Sequence, residues 1–385
     1  MVKKGLIAAT IIWALAVSNF FVFAADPPAK PAVPTLDQVL ETSGVSLGGY
    51  IDTAYSHLSG TGAFSSNTAN RVFDTEPNSF NLHQAAIVVA KQPKEGFGGL
   101  VNITVGNDAQ VIHSFDEPVG PQTNRFDVTQ AFAQYGQGPL TVIVGKYVTN
   151  AGAEVINSTN DVNYSRSILF GYAIPFTHTG LRATYAVSDM LSVIGGVNNG
   201  WDDVKDTNKQ KTLELGLTLA PTKSISISAV DYHGTEQVSG SSTSFSSVQG
   251  NRNILDLVGT WTATDKVSVT LNYDYGSQDN ATTVTPNGQD KANWSGLAGY
   301  VNYQFTEMWR ITFRGEYFDD KDGYRTGIIQ KWKEGTVTLA YLPAKSMEIR
   351  GEFRGDKSDQ SSFLKSDGST SKNQWSYGLE AIYKF

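Results

Sequence analysis

A membrane-spanning, all-β antiparallel barrel of sixteen strands is the fold this sequence predicts, and three observations predict it. First, residues Gln374 to Phe385, reading QWSYGLEAIYKF, place Trp375, Tyr377, Leu379, Ala381, Tyr383 and Phe385 at alternate positions. Ser376, Gly378, Glu380, Ile382 and Lys384 lie between them. Period two marks a strand with one apolar and one wet face. Rings at this density on the apolar face suit a wall with lipid outside and water inside, the rings sitting at the membrane interface. Second, the chain contains many such segments, joined by connections that alternate short and long. Third, the N-terminus carries an export pattern, and no later stretch approaches the roughly 20 residues of a membrane helix.

The bulk composition agrees. There are 37 Gly, 17 Tyr, 19 Phe and 7 Trp, with a mean hydropathy of -0.24, as expected where lipid-facing and water-facing residues alternate and average out. With no cysteine, a disulfide framework, a thiolate metal site, a cysteine nucleophile and a lipoprotein anchor are excluded. The formal charge is -7. An acidic, exported chain argues against nucleic-acid binding.

Taken in order, the chain begins with Lys3 and Lys4, an apolar run from Leu6 to Val17, and Val22-Phe23-Ala24. This is the layout of a secretory signal peptide over residues 1–24, cut after Ala24 or Ala25. The rival, an N-terminal anchor, is disfavoured because Ser18-Asn19 interrupts the run. Removing 1–24 takes away two lysines and no acid, so the charge goes from -7 to -9. Residues 25–44 form a periplasmic segment: a stiff proline-rich linker, DPPAKPAVP, then TLDQVLET, long enough for two helical turns.

The barrel is expected over 45–385. Its sixteen candidate strands are 45–55, 80–91, 98–106, 126–135, 139–147, 177–187, 191–199, 211–220, 224–233, 252–262, 267–276, 292–305, 309–318, 326–342, 347–355 and 374–385. Short connections such as Gly136–Gly138, Ser188–Met190 and Thr306–Met308 alternate with long ones such as Asn107–Arg125, Val148–Phe176 and Asp356–Asn373. Tight periplasmic turns and long extracellular loops are how outer-membrane barrels are wired. The weak point is Thr326–Leu342, which could be two strands around Glu334-Gly335 and would break the even count. Several strands assign their own faces. Leu181, Ala183 and Tyr185 oppose Gly180, Arg182 and Thr184; Trp309, Ile311, Phe313 and Tyr317 oppose Arg310, Thr312, Arg314 and Glu316. Met347, Ile349 and Phe353 oppose Glu348, Arg350, Glu352 and Arg354. A charged row needs water, and a lipid-facing row must be free of charge. A secreted β-sandwich also alternates, but does not account for sixteen strands together with the terminal aromatic.

Sixteen strands enclose more space than side chains fill, which implies an aqueous channel whose selectivity depends on what narrows it. The longest connection, Val148–Phe176, has enough apolar residues to pack against a wall. Folded inward, it would carry Glu154, Asp161 and Arg166 into the lumen; left outside, those charges are only solvated. On the walls, Arg182, Arg310, Arg314, Glu316 and Arg350 are pore candidates, with Lys146 on a strand of ambiguous alternation. Opposed rings of charge would filter solutes, whereas the ladder Glu348–Arg350–Glu352–Arg354 also reads as cross-strand ion pairs that stiffen the wall. Arg182 has no acid on its own strand, which makes it the better lumen candidate. The five histidines, His57, His83, His113, His178 and His233, have neither triad context nor metal-ligand spacing. No enzyme activity, metal or cofactor is expected. A transporter with a folded plug domain would need about 22 strands, and residues 25–44 cannot supply the plug.

The motifs also carry a family resemblance. VSLGGYIDTAYSH, NRVFDTEPNSFNLHQAAIVVAK, GFGGLVNITVGNDA, VGKYVTNAGAEVI, NYSRSILF, HTGLRATY and GGVNNGWDDVKDTN, spanning roughly residues 45–210, resemble the OmpL-like β-barrel porin family of Gram-negative bacteria. The resemblance implies an outer-membrane porin and assigns no firm role to single residues. Among the matching positions are Arg71, Asp74, Lys146, Glu154, Arg166, Arg182 and Trp201. The expected partners are outer-membrane lipid, small hydrophilic solutes or ions, and the assembly machinery through the strand ending in Phe385; a homo-oligomer and a monomer are equally open. The rival from another class is a non-conducting barrel whose loop tips, such as Ser239–Ser247, bind a partner.

Overall fold

The computed structural model describes residues 34–60, 71–114, 124–238 and 248–385. The expected signal peptide and the loop tip 239–247 lie outside the described residues. Chain order starts with α1 (Leu36–Ser43), where Thr35 and Gln38 form a reciprocal capping box and Gly44 ends the helix in the left-handed region at φ 67°. The wall then begins with β1 (Ser46–Leu58), β2 (Ser79–Lys91) and β3 (Gly96–Val105). After α2 (Asn107–Ile112) come β4 (Phe126–Gln137) and β5 (Leu140–Val148), then a 3₁₀ turn at Ser158–Asn160 and α3 (Ile168–Tyr172). β6 (Thr177–Ala186), β7 (Leu191–Asn198), β8 (Thr212–Thr222), β9 (Ile225–Gln237), β10 (Gln249–Thr264) and β11 (Val267–Gln278) follow. The wall continues with β12 (Ala292–Thr306), β13 (Trp309–Asp320), β14 (Gln330–Ala344) and β15 (Met347–Ser358). A small hairpin, β16 (Phe363–Leu364) and β17 (Thr370–Ser371), precedes the last strand, β18 (Asn373–Lys384).

β1 to β15 pair antiparallel with their sequence neighbours, and β18 closes the ring between β15 and β1. That is a closed barrel of sixteen strands, which leaves no backbone edge to face lipid. Closure is tied at the end of the short turns by Phe385, whose N–H and C=O pair with Gly49 at 3.0 Å each. The doubtful stretch resolves as one strand: β14 runs unbroken through Glu334-Gly335, paired residue for residue with β13 and β15. Thr326–Ile329 belongs to the preceding loop, where the Asp320 carboxylate accepts from the Thr326 N–H at 2.7 Å and from its hydroxyl at 2.8 Å.

The two faces follow the alternation. On β18, Trp375, Tyr377, Leu379 and Tyr383 are exposed outward, while Ser376, Glu380 and Ile382 are buried on the inner side. The hydrophobic core sits inside the barrel. Phe73, Phe170, Trp201, Trp294, Phe318, Tyr324, Trp332 and Phe363 form one buried cluster in which strand residues meet loop residues. Trp294 stacks on Tyr324 at 5.7 Å and Phe73 on Phe170 at 5.5 Å, spacings at which ring pairs add about 0.5–1.5 kcal/mol beyond burial. Gly276 is required by this packing, since a Cβ there would lie 2.1 Å from the Trp294 ring.

Candidate pore constriction

The connection between β5 and β6 turns into the barrel and is fastened along its length. At its start the Thr149 hydroxyl and the Asn150 N–H both donate to the Tyr232 hydroxyl on β9, each at 3.1 Å. Gly152, at φ 94°, turns the chain so that the Ala153 N–H reaches Asn272 of β11 at 3.0 Å. Local capping shapes the middle. Asn157 accepts from the Thr159 N–H, and Ser167 caps α3 by accepting from the Phe170 N–H at 2.9 Å. Ile156, Ile168, Leu169, Phe170 and Ile174 are buried, so the apolar content of the segment is spent inside the lumen. At its end the Trp294 indole donates to the Ala173 carbonyl at 3.1 Å, and Asp202 accepts from the Phe176 and Thr177 N–H groups at 2.8 and 2.9 Å.

The wall charges hold this segment's backbone. Glu352 accepts from the N–H groups of Tyr164 and Ser165 at 2.8 and 3.0 Å. Glu316 accepts from those of Ile168 and Leu169 at 3.1 and 3.2 Å, at the first turn of α3. Arg350 is fully buried; it donates to the carbonyls of Ser158, Asp161 and Asn163 and pairs with Glu348 at 2.7 Å and Glu380 at 3.1 Å. Arg354 donates to the Arg166 carbonyl at 2.6 Å and pairs with Asp356 at 2.8 Å. Arg314 donates to the Ser165 carbonyl at 2.6 Å and lies between Glu154 (2.8 Å), Glu334 (2.6 Å) and Glu316 (3.3 Å). A guanidinium suits this task because its planar fork can satisfy carbonyls and carboxylates at once.

The other sequence candidates divide. Arg166 is drawn into the plug: it pairs with Asp161, donates to the Ile156 carbonyl at 2.8 Å and lies over the Phe73 and Phe170 rings. Arg182 does face the lumen, and the absence of an acid on its own strand is made good from β8. Glu214 pairs with it at 2.8 Å beyond Gly196, and its guanidinium also covers the Tyr147 ring at 4.2 Å. Lys146 faces inward and pairs with Asp127 of β4 at 3.1 Å. Arg310 pairs with Glu348 below the main cluster and, of this set, keeps the most exposure, 16% of its side chain.

Further loops contribute to the interior, unannounced by their sequences. Arg71, after β1, pairs with Asp74 at 2.9 Å and reaches Asp356 at 3.5 Å, while Phe73 joins the aromatic cluster. In α2, Asp108 accepts from Gln84 at 2.7 Å and lies 3.3 Å from the His83 ring. The ring nitrogen of His113 lies 3.5 Å from Asp127. Among the described residues no group of acidic and imidazole side chains has the geometry of a metal site. In the β7–β8 connection, burial first, with Glu236 and Asp202 adding, pushes the Asp203 carboxyl up to about 8. With all these segments in place, inward side chains are buried on every strand of the barrel, among them Gln84, Thr104, Glu214, Asp256, Arg314 and Glu380. Toward the short turns the inner wall opens, lined by hydroxyls such as Ser228, Thr260, Ser268 and Thr270.

Comparison with known proteins agrees with this architecture. The model of the family described as "Putative beta-barrel porin-2, OmpL-like" matches residues 44–385. Among solved structures, the chain is similar to the anion-selective porin from Comamonas acidovorans, with a TM-score of 0.62 at 9% identity over 89% of this chain and 99% of that one. It is similar to the outer-membrane channel DcaP of Acinetobacter baumannii, with a TM-score of 0.58 at 14% identity over 89% and 97%. OmpT of Vibrio cholerae gives a TM-score of 0.58 at 12% identity over 89% and 97%. No curated protein matches the chain by sequence.

Proposed function

The chain belongs to the OmpL-like beta-barrel porin-2 family, and on that premise we propose that it passes small hydrophilic solutes or ions across the Gram-negative outer membrane through a lumen narrowed by residues 148–176. The observation that carries this reading is the set of wall groups, Arg350, Glu352, Arg354, Arg314 and Glu316, bonded to the backbone of that segment inside the barrel. A loop held at both faces of its peptide groups keeps a fixed shape, and a fixed shape sets a reproducible pore width. Delivery fits the same picture: a signal peptide over 1–24 is removed after export, and the strand ending in Phe385 serves as the contact for barrel assembly. Of the structures to which this chain is similar, one is described as an anion-selective porin and OmpT is described in a trimer form. Here Arg310, which pairs with the buried Glu348 and keeps 16% of its side chain exposed, is the inward charge through which the wall would bear on the sign of selectivity. Planar-bilayer recording of the refolded mature protein under a salt gradient tests the reading. Stepwise conductance with a defined reversal potential is expected; a folded barrel that never conducts would reverse it in favour of a loop-binding protein.

A further inference from the structure

The outer wall carries a feature that solute passage does not use. On β13, β14 and β15 the outward positions align in rows. Phe313, Val337 and Phe353 face lipid side by side; the next outward row is Gly315, Gly335 and Gly355; the next is Tyr317, Lys333 and Lys357. Beyond it lie Asp319, Lys331 and Asp359. A Cβ built on Gly335 or Gly355 would meet nothing within 4 Å, so the three glycines leave a bare strip of backbone on a wall otherwise studded with side chains. The groove above the strip, bordered by Tyr317, Lys331, Lys333, Lys357, Ser358 and Asp359, holds about 480 Å³. Lys333 lies 5.9 Å from the Tyr317 ring centre, and among the described residues none of the three lysines has a carboxylate at ion-pair distance. They stand at the end of the barrel from which the long connections leave: at the usual strand rise Lys333 and Lys357 lie about 13 Å, and Lys331 about 20 Å, along the strands from the Phe313–Val337–Phe353 row. That is the height at which the hydrocarbon gives way to headgroups.

We propose that this face binds a phosphorylated glycolipid of the outer leaflet, its phosphates on Lys331, Lys333 and Lys357 and one acyl chain along the Gly315–Gly335–Gly355 strip. The proposal rests on the outer-membrane reading, since only there does this end of the wall meet such a lipid. The chemistry is complementary on both counts. Ammonium groups at a membrane interface attract phosphate, and a strip without side chains lets a methylene chain reach the backbone between Phe313, Phe353 and Trp375. Asp319, which pairs with Lys331 across the strands, and Asp359, which accepts from the Lys331 N–H at 2.9 Å, border the patch and offset two of its three charges, so it keeps one net positive charge, with Lys333 and Lys357 in the row nearer the strip.

The test uses the refolded full-length barrel in detergent, read by native mass spectrometry for retained lipid. The probes are bis-phosphorylated lipid A, the same lipid without phosphates, and inorganic phosphate. Wild type is expected to retain bis-phosphorylated lipid A at least tenfold better than the K331Q/K333Q/K357Q variant. G335L, which fills the strip and leaves every lysine, should weaken retention as well, while K211Q in the β7–β8 connection should not. Equal retention by the lysine variant, equal retention of the dephosphorylated lipid, or competition by inorganic phosphate at comparable concentration would each overturn the proposal. Conductance of the same samples is recorded in parallel, so that a lipid site that fails is told apart from a channel reading that fails.

Discussion

Glu352 shows how one residue type at one position does two different jobs depending on what comes near it. Within its own strand it reads as a rung between Arg350 and Arg354. In the folded barrel its oxygens accept from the N–H groups of Tyr164 and Ser165 and from the Thr338 hydroxyl. Replacing it with glutamine leaves the shape and puts an amide donor against backbone donors, at a cost of about 1–3 kcal/mol. Because the strands are held by their own backbone bonds, the cost falls on the loop and not on the wall. Glu352→Gln is therefore expected to conduct with larger and noisier steps while still migrating as a folded barrel on unheated gels; an unchanged trace would show that this anchor does not hold the constriction. A second residue-scale prediction concerns pH. With its folded pKa raised to about 8 by burial, Asp203 binds its proton more tightly folded than unfolded, so its contribution to stability is present below about pH 4 and is lost as pH rises toward 8. Asp203→Asn should raise the heat-unfolding midpoint by about 2 °C at pH 8.5 and leave it unchanged near pH 4; a midpoint shift independent of pH would contradict the assignment.

At the scale of elements, strands were legible and inward loops were not, for a physical reason. A barrel strand meets lipid on one side and water on the other, so its own residues record its orientation. All sixteen expected strands occur, and Leu181 against Arg182 or Phe313 against Arg314 sort as their alternation requires. Loop 148–176 obeys partners far away in sequence: Glu154 meets Arg314 and Tyr164 lies over Gly378. No local pattern encodes such pairings, so the sequence leaves its inward and outward placements open, shows no partner for Arg182, and does not mark Arg71 and Asp108 as lumen residues. Besides forming cross-strand ion pairs, the wall charges bind peptide groups of the loop, a use that no strand records. The element-scale prediction uses the Asn163 side chain, which donates to the Thr338 hydroxyl at 2.6 Å. With no native cysteine in the chain, an Asn163→Cys/Thr338→Cys pair should be joined rapidly by a short bifunctional thiol reagent, without change in conductance. Failure to join, or a large drop in current on joining, would mean that the loop spends its time elsewhere.

At the scale of the whole molecule, a wide barrel has been fitted with an interior core. Sixteen strands would leave an open channel, and here aromatic residues from wall and loops narrow the half from which the long connections leave, while the hydroxyl-lined end near the short turns stays open. The buried ion pairs at the junction contribute little net stability on their own, but losing one partner strands the other, so the plug is specified sharply even where it is not strongly held. The wall brings its rigidity from backbone pairing, and the passage brings its width from the loop. The most direct measurement is single-channel conductance of the wild-type barrel beside a variant in which residues 155–165 are replaced by a short Gly-Ser linker. The account predicts small, uniform steps for wild type and steps several times larger for the variant. Equal conductance in the two would contradict it.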